Sequence, residues 1–351
     1  MNRITFVTQL IDRDDPVLGT VPRLVSALAA RTDQVDVIAN EVRELPGFAG
    51  NVSVSSLGKE GGAGRASRLL SYERAVAASR ARTLFAHMCP SYLAAAWPSA
   101  RIRGMSTILW FAHPRVTRSL LVAERLSDVV LTSLPGSYPH PGPKVRPIGQ
   151  AIDLEAFPQT PIREPDDGRL ELLALGRTSD SKRYDVMIEG VRLAAERGLE
   201  TRLKIVGPAT TDRERAIGAS LRARVSADGL GEHVTFSEGV PPDHVPTLLA
   251  SSDALVSTTI SGSADKAVFE SIASGRPAFV SNPAFDDLLS GSGFGSRFEG
   301  AAGLADLLER FVGTGTVERQ DLADRLRERV VKEHSLDHWA DSVVEIIEGM
   351  G

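Results

Sequence analysis

Two cations and a run of small residues carry the chemistry open to this sequence. Gly176 and Arg177 follow an apolar stretch at residues 170–175, and Lys182 comes five positions after Arg177. A strand ending in a glycine turn presents backbone N–H groups, and a guanidinium and an ammonium beside it can both reach one anion. Further on, Ser261-Gly262-Ser263-Ala264-Asp265-Lys266 precedes an apolar helix over residues 267–273. Small residues such as Ser263 let a ligand approach the backbone. The free amides of Asp265, Lys266, Ala267 and Val268 form a second seat for an anion. Asp265 reads as well as an ordinary N-cap. Glu270, one turn further in, can accept hydrogen bonds from a ribose diol or simply form an ion pair. Singly, Arg177 and Lys182 read equally as solvated side chains. Together these residues suit a nucleoside diphosphate carrying a sugar.

The elements that must hold them alternate in kind. Apolar runs at 170–175, 203–206, 234–236, 254–257 and 278–281 predict strands, with helical segments between them, one of them starting at Lys182. Such alternation predicts a parallel sheet with right-handed crossovers. Ligands of these sheets gather outside the carboxyl ends of the strands. Here those ends carry Gly176, Gly207, Gly239 with Val240, and the Gly/Ser loop before Lys266.

The first half repeats the pattern. Strands are predicted at 4–7, 35–39, 83–87, 107–112 and 128–133, with a polar loop at 9–15 after the first. Gly19 opens a helix whose Val21, Leu24, Val25, Leu28 and Ala29 share one face. Gly19 is either a tight turn or a place where phosphate nears the backbone. The G-x-G-x-x-G dinucleotide fingerprint is missing. Asp12 and Asp14 match a D-x-D pattern able to hold a hard cation, but beside Asp15 they read as solvated carboxylates, and no metal is expected. His87 and His113 each close a predicted strand. His87 reads as a core histidine, and His113 as a group that relays a proton near a sugar hydroxyl.

Size and charge set the outer limits. The 351 residues suit about two domains. A Pro/acid-rich linker at 158–168 separates an acceptor-side domain, 1–157, from a nucleotide-sugar domain, 158–334. The net charge of −5 argues against a nucleic-acid partner. Between residues 59 and 103, however, eight basic residues face two acidic ones. That stretch reads as solvated helix faces, or as a surface for an anionic acceptor or membrane. The sole cysteine, Cys89, reads as a small buried residue and points to a reducing compartment. The chain shows neither a signal peptide nor a membrane-spanning run. The expectation is a cytoplasmic protein, with peripheral contact at the inner membrane face left open.

These motifs resemble the retaining glycosyltransferase family 4, which has the GT-B fold. Leu175-Gly176-Arg177 with Lys182 is similar to its diphosphate element, Lys204-Ile205-Val206-Gly207 to its I-V-G strand, and Val234-Thr235-Phe236 with Gly239-Val240 to its base-side segment. Phe269-Glu270-Ser271-Ile272-Ala273-Ser274-Gly275-Arg276-Pro277 is similar to its L-E-A-M-A-x-G-x-P motif, and Trp110-Phe111-Ala112-His113 to its strand ending in a site histidine. Gly149-Gln150-Ala151-Ile152-Asp153 resembles the passage between its domains. The resemblance implies two Rossmann-like doubly wound domains facing a central cleft, with residues 335–351 crossing back to the first. It also implies metal-independent transfer with retention and no cofactor beyond the sugar nucleotide. Arg177 and Lys182 would neutralise the leaving diphosphate, Glu270 would hold the ribose, Gly19 would sit by the diphosphate and His113 by the sugar. Two positions depart from the pattern. Gly262 stands where a sugar-facing Glu is usual, implying a less common sugar or that Asp265 takes over, and Arg183 replaces a frequent Gly.

Three alternatives stay open: a sugar-nucleotide epimerase of the same fold, a non-catalytic partner subunit, and a phosphate-ester enzyme on a plain doubly wound sheet. The expected partners are a nucleotide-sugar donor and an acceptor that is a glycan, a lipid-linked glycan or a small natural product.

Overall fold

A computed structural model describes residues 2–15, 18–162, 169–259, 264–290 and 292–350. The chain forms two compact units, Met1–Asp153 with Glu333–Gly351, and Leu154–Lys332.

In the N-terminal unit, strands β1 (Arg3–Ile11), β2 (Gln34–Val42), β3 (Val52–Ser56), β4 (Thr83–His87), β5 (Ser106–Trp110), β6 (Val129–Thr132) and β7 (Val145–Pro147) alternate with helices α1 (Val21–Ala29), α2 (Arg65–Ala78), α3 (Pro90–Ile102) and α4 (Arg118–Leu126). The sheet order is β3-β2-β1-β4-β5-β6-β7, with parallel pairings. The chain moves outward from β1 to β3 and then returns to the other side of β1 with β4. That reversal makes β1/β4 the switch point, where doubly wound sheets hold their ligands. β1 runs on to Ile11, through the start of the polar loop expected from Gln9. Leu10 and Ile11 pair with Glu41 and Val42 of β2 and are buried, so pairing extends the strand beyond its most apolar part.

The C-terminal unit holds β8 (Leu170–Leu175), β9 (Thr201–Val206), β10 (Val234–Ser237), β11 (Ala254–Ser257) and β12 (Ala278–Val280) in the order β10-β9-β8-β11-β12, again parallel. Its helices are α5 (Tyr184–Glu196), α6 (Asp212–Ala227), α7 (Val245–Ala250), α8 (Lys266–Ala273), α9 (Asp286–Ser290), α10 (Gly300–Val312) and α11 (Thr316–His334). Its switch point lies between β8 and β11. α5 lies tightly on α10, since a Cβ at Gly190 would come within 2.7 Å of Leu304. That contact fixes the helix whose approach carries Lys182.

The last helix, α12 (Leu336–Gly349), belongs to the N-terminal unit. Its fully buried Trp339 meets Phe85 and Trp110 edge-on, with ring centroids 6.0 and 5.7 Å apart. Phe6 stacks on Phe85 from β1. Burying a Phe completely stabilises the fold by roughly 1.5–3 kcal/mol, so this cluster anchors both β1 and α12.

Candidate functional site

The switch point of the C-terminal sheet holds a fixed cation, Lys182. β8 ends at Leu175, and Gly176 turns with φ 134°. A Cβ at Gly176 would come within 2.5 Å of Lys182 Cε and 2.7 Å of its Nζ, so the lysine lies flat across the glycine. Only a residue without a side chain permits that approach. Gly207, at the end of β9, is equally constrained, because its Cβ would stand 1.9 Å from the Gly176 carbonyl oxygen. The Tyr184 hydroxyl donates to that same carbonyl at 2.7 Å.

Lys182 does not start α5. It ends a short 3-10 turn, Asp180–Lys182, and Arg183 follows in the left-handed region at φ 46° before α5 begins. An L-residue there costs roughly 1–2 kcal/mol, so a glycine would fit this position more easily. The turn is held from β11's end, where the Thr258 hydroxyl donates to the carbonyls of Lys182 and Arg183 at 2.5 and 3.0 Å. Lys182 Nζ donates to the Leu175 carbonyl at 3.1 Å and to Asp265 Oδ2 at 2.7 Å. The same carboxylate oxygen accepts from Ser257 Oγ at 2.8 Å and Thr259 Oγ1 at 3.0 Å. The side chains of Lys182 and Asp265 are 15% and 9% exposed. Burial works against the Asp265 charge, but the Lys182 ammonium and the two hydroxyls outweigh it and hold the carboxyl below its usual range.

Asp265 therefore occupies the N-cap position of α8 without capping it. Behind it, Ala267 is buried, and Lys266 pairs with Glu270 one turn on at 3.0 Å. Arg177 takes another course. Its side chain is 60% exposed and meets Glu214 at 3.5 Å. Glu214 is buried and belongs to the capping box of α6, accepting from Thr210 and Thr211. Those bonds, the Thr210 hydroxyl first, lower its pKa. Gly239 and Val240 follow β10, and a Cβ at Gly239 would stand 2.8 Å from the Pro208 ring. Ser263 and Gly262 lie outside the described residues.

The remaining candidates lie in the N-terminal unit. Gly19 N–H donates to the Asp15 carbonyl at 2.9 Å, and a Cβ at Gly19 would approach that oxygen to 2.5 Å, so the turn itself requires glycine. His113 is exposed, and its Nδ1 accepts from Arg115 N–H at 2.9 Å. His87 is buried and stacked on Phe6 at 5.7 Å, and burial lowers its pKa to about 4, keeping it neutral. The Cys89 thiol is buried and pushed up to about 12, which leaves it without thiolate character. The carboxylates of Asp12, Asp14 and Glu44 lie within 4.8 Å of one another. Arg13 and Arg43 stand beside them, at 3.3 Å from Glu44 and 3.8 Å from Asp12.

Sequence reading alone did not find Ser257, Thr258, Thr259, Tyr184 or Glu214. Glu214 had a legible signal, the Thr-x-x-Glu of a capping box. The hydroxyls at the end of β11 had only their alternation.

Residues 169–314 match the family model described as "Glycosyl transferases group 1". A mannosylfructose-phosphate synthase of Agrobacterium fabrum is 33% identical over 111 residues, covering 31% of this chain and 24% of that protein. The chain thus matches about a quarter of the length of that relative. Sucrose-phosphate synthase of Thermosynechococcus elongatus superposes with a TM-score of 0.76 at 15% identity, over 100% of this chain and 99% of that one. HepE of Anabaena, solved with UDP and glucose, gives 0.74 at 13% identity, over 99% and 100%. At these identities the likeness is one of fold: two Rossmann-like units of the GT-B type.

Proposed function

We propose that this chain transfers a glycosyl group from a nucleoside diphosphate sugar to an acceptor hydroxyl, with retention and without a metal. The observation that carries this reading is the Lys182 ammonium, held over the Gly176 turn at a switch point and inside the segment matched by the glycosyl transferase model. As the sugar–oxygen bond breaks, charge builds on the departing phosphate. Lys182, Arg177 and the start of α8, which the Asp265 side chain does not cap, are the groups that offset it. Glu270, in the same unit, takes the ribose hydroxyls. Retention and the metal-free reaction rest on the resemblance.

For the acceptor, α2 exposes Leu69 and Leu70 beside Arg65. That mixture supports a lipid-linked or anionic glycan met at an inner membrane face. Among the described residues, no helix is long and apolar enough to cross a membrane. Sedimentation with anionic vesicles, absent with neutral ones, tests the peripheral contact.

The main test is incubation with UDP-, GDP-, ADP- and dTDP-sugars, followed by ³¹P and ¹H NMR. Slow release of nucleoside diphosphate is expected, insensitive to EDTA, and a glycoside that keeps the donor's anomeric configuration once an acceptor is found. Strict Mn²⁺ dependence would move attention to Asp12 and Asp14. A second reading, a non-catalytic partner subunit, draws on the ion pair that already engages Lys182. Nucleotide binding with no turnover of any donor would favour it.

A further inference from the structure

We propose that Asp265 is the positioning residue for Lys182: it fixes the ammonium over the Gly176 turn and, as a fixed negative charge there, weakens ground-state binding of a nucleoside diphosphate while speeding its departure in the reaction. This rests on the transferase reading above.

The geometry is specific. An Asp at an N-cap normally accepts from the amides of its own helix. Asp265 makes no such bond. Its Oδ2 instead collects Lys182, Ser257 and Thr259 at 2.7, 2.8 and 3.0 Å. Two neutral hydroxyls thus orient the carboxylate, and the carboxylate orients the ammonium. The backbone of Lys182 is held independently by Thr258. An ammonium has three donors, and Lys182 directs them to Leu175 and Asp265 with one left over among the described residues. The leftover donor is the one available to a phosphate.

Charge gives the consequence. A diphosphate arriving at Lys182 also meets the Asp265 carboxylate, and like charges a few ångströms apart repel, the more weakly where solvent screens them. Ground-state binding is therefore weaker than a lone lysine would give. A cation held in place costs no reorganisation when charge develops on the leaving group, so the benefit appears in turnover.

The test compares Asp265→Asn, which keeps the shape and removes the charge, with wild type, using UDP as the binding probe and the donor found active in the panel as substrate. The expected result is UDP binding about 3- to 10-fold tighter and kcat about 10- to 100-fold lower. In a Lys182→Ala background the same substitution should leave kcat where Lys182→Ala alone puts it, while UDP binding still tightens because the repelling charge is gone. Weaker UDP binding together with lower kcat, or a fall in thermal midpoint alone, would overturn the proposal. A ligand-free arm keeps the two readings apart: the Lys182 ¹³Cε–¹⁵Nζ NMR signal should move and sharpen in Asp265→Asn as the side chain is released. An unchanged signal overturns the positioning role even if transfer is demonstrated. A shifted signal with no sugar nucleotide bound supports the positioning role and overturns the transferase reading.

Discussion

The two switch points share a topology and differ in charge. In the C-terminal unit, the crevice at β8/β11 holds a lysine tied down at its backbone and at its ammonium and laid across Gly176, whose carbonyl in turn leaves no room for a side chain at Gly207. In the N-terminal unit, the corresponding edge of β1 and β4 carries a neutral buried histidine, a buried thiol and a trio of carboxylates balanced by arginines. One place presents an anchored cation, and the other offers no comparable one among the described residues. The same fold positions both, so the difference lies in side chains rather than topology.

The largest expected effect is on the anionic side. Lys182→Ala should lower turnover by about 10²- to 10³-fold with a smaller loss of UDP affinity, read from steady-state kinetics and calorimetry. Equal losses in both would reduce Lys182 to a simple binding group. On the other side, the His87 contribution is one of stability. Its folded pKa of about 4 lies below the unfolded 6.5, so the unfolded chain takes the proton first as pH falls. The stabilisation is complete above pH 6.5 and is lost on acidification toward pH 4, amounting to roughly 3 kcal/mol. Urea unfolding across this window should show that slope, and His87→Phe should remove most of it. Asp265 loses its contribution in a different window, below its ordinary 3.8, because its folded pKa is depressed. Gly207→Ala, forced against the Gly176 carbonyl, should cost about 1–3 kcal/mol or more in the same assay. Arg177→Ala should cost about tenfold in turnover or less, since its guanidinium is exposed and shared with Glu214. An effect as large as that of Lys182→Ala would show that Arg177 leaves Glu214 for the ligand. Asp14→Asn should be silent in activity with or without added Mn²⁺.

Much of this was legible because it is local. The strand runs, the glycines at their ends and the helix face of Val21, Leu24, Val25, Leu28 and Ala29 are fixed by neighbours in sequence, and all five helix residues are buried. β3 was not legible, since Val52–Ser56 is largely exposed, and α2 was legible only as a solvated basic face without bounds, because it buries only Tyr72 and Val76. The Lys182–Asp265 pair joins positions 83 residues apart. It exists because β8 and β11 are neighbours, with Ala254 opposite Leu172, a register that no local pattern encodes. For the same reason Asp265 reads as an N-cap in the sequence and becomes a counter-ion in the fold.

The most direct test is a ¹H–¹⁵N TROSY titration of the labelled protein with UDP, repeated on Lys182→Ala. The expected result is amide shifts concentrated at Gly176, Arg177 and Lys266 to Val268, greatly reduced in the variant. Shifts confined to the β1/β4 edge around Asp12 to Gly19, or a pattern unaltered by Lys182→Ala, would contradict a diphosphate seat at the β8/β11 crevice.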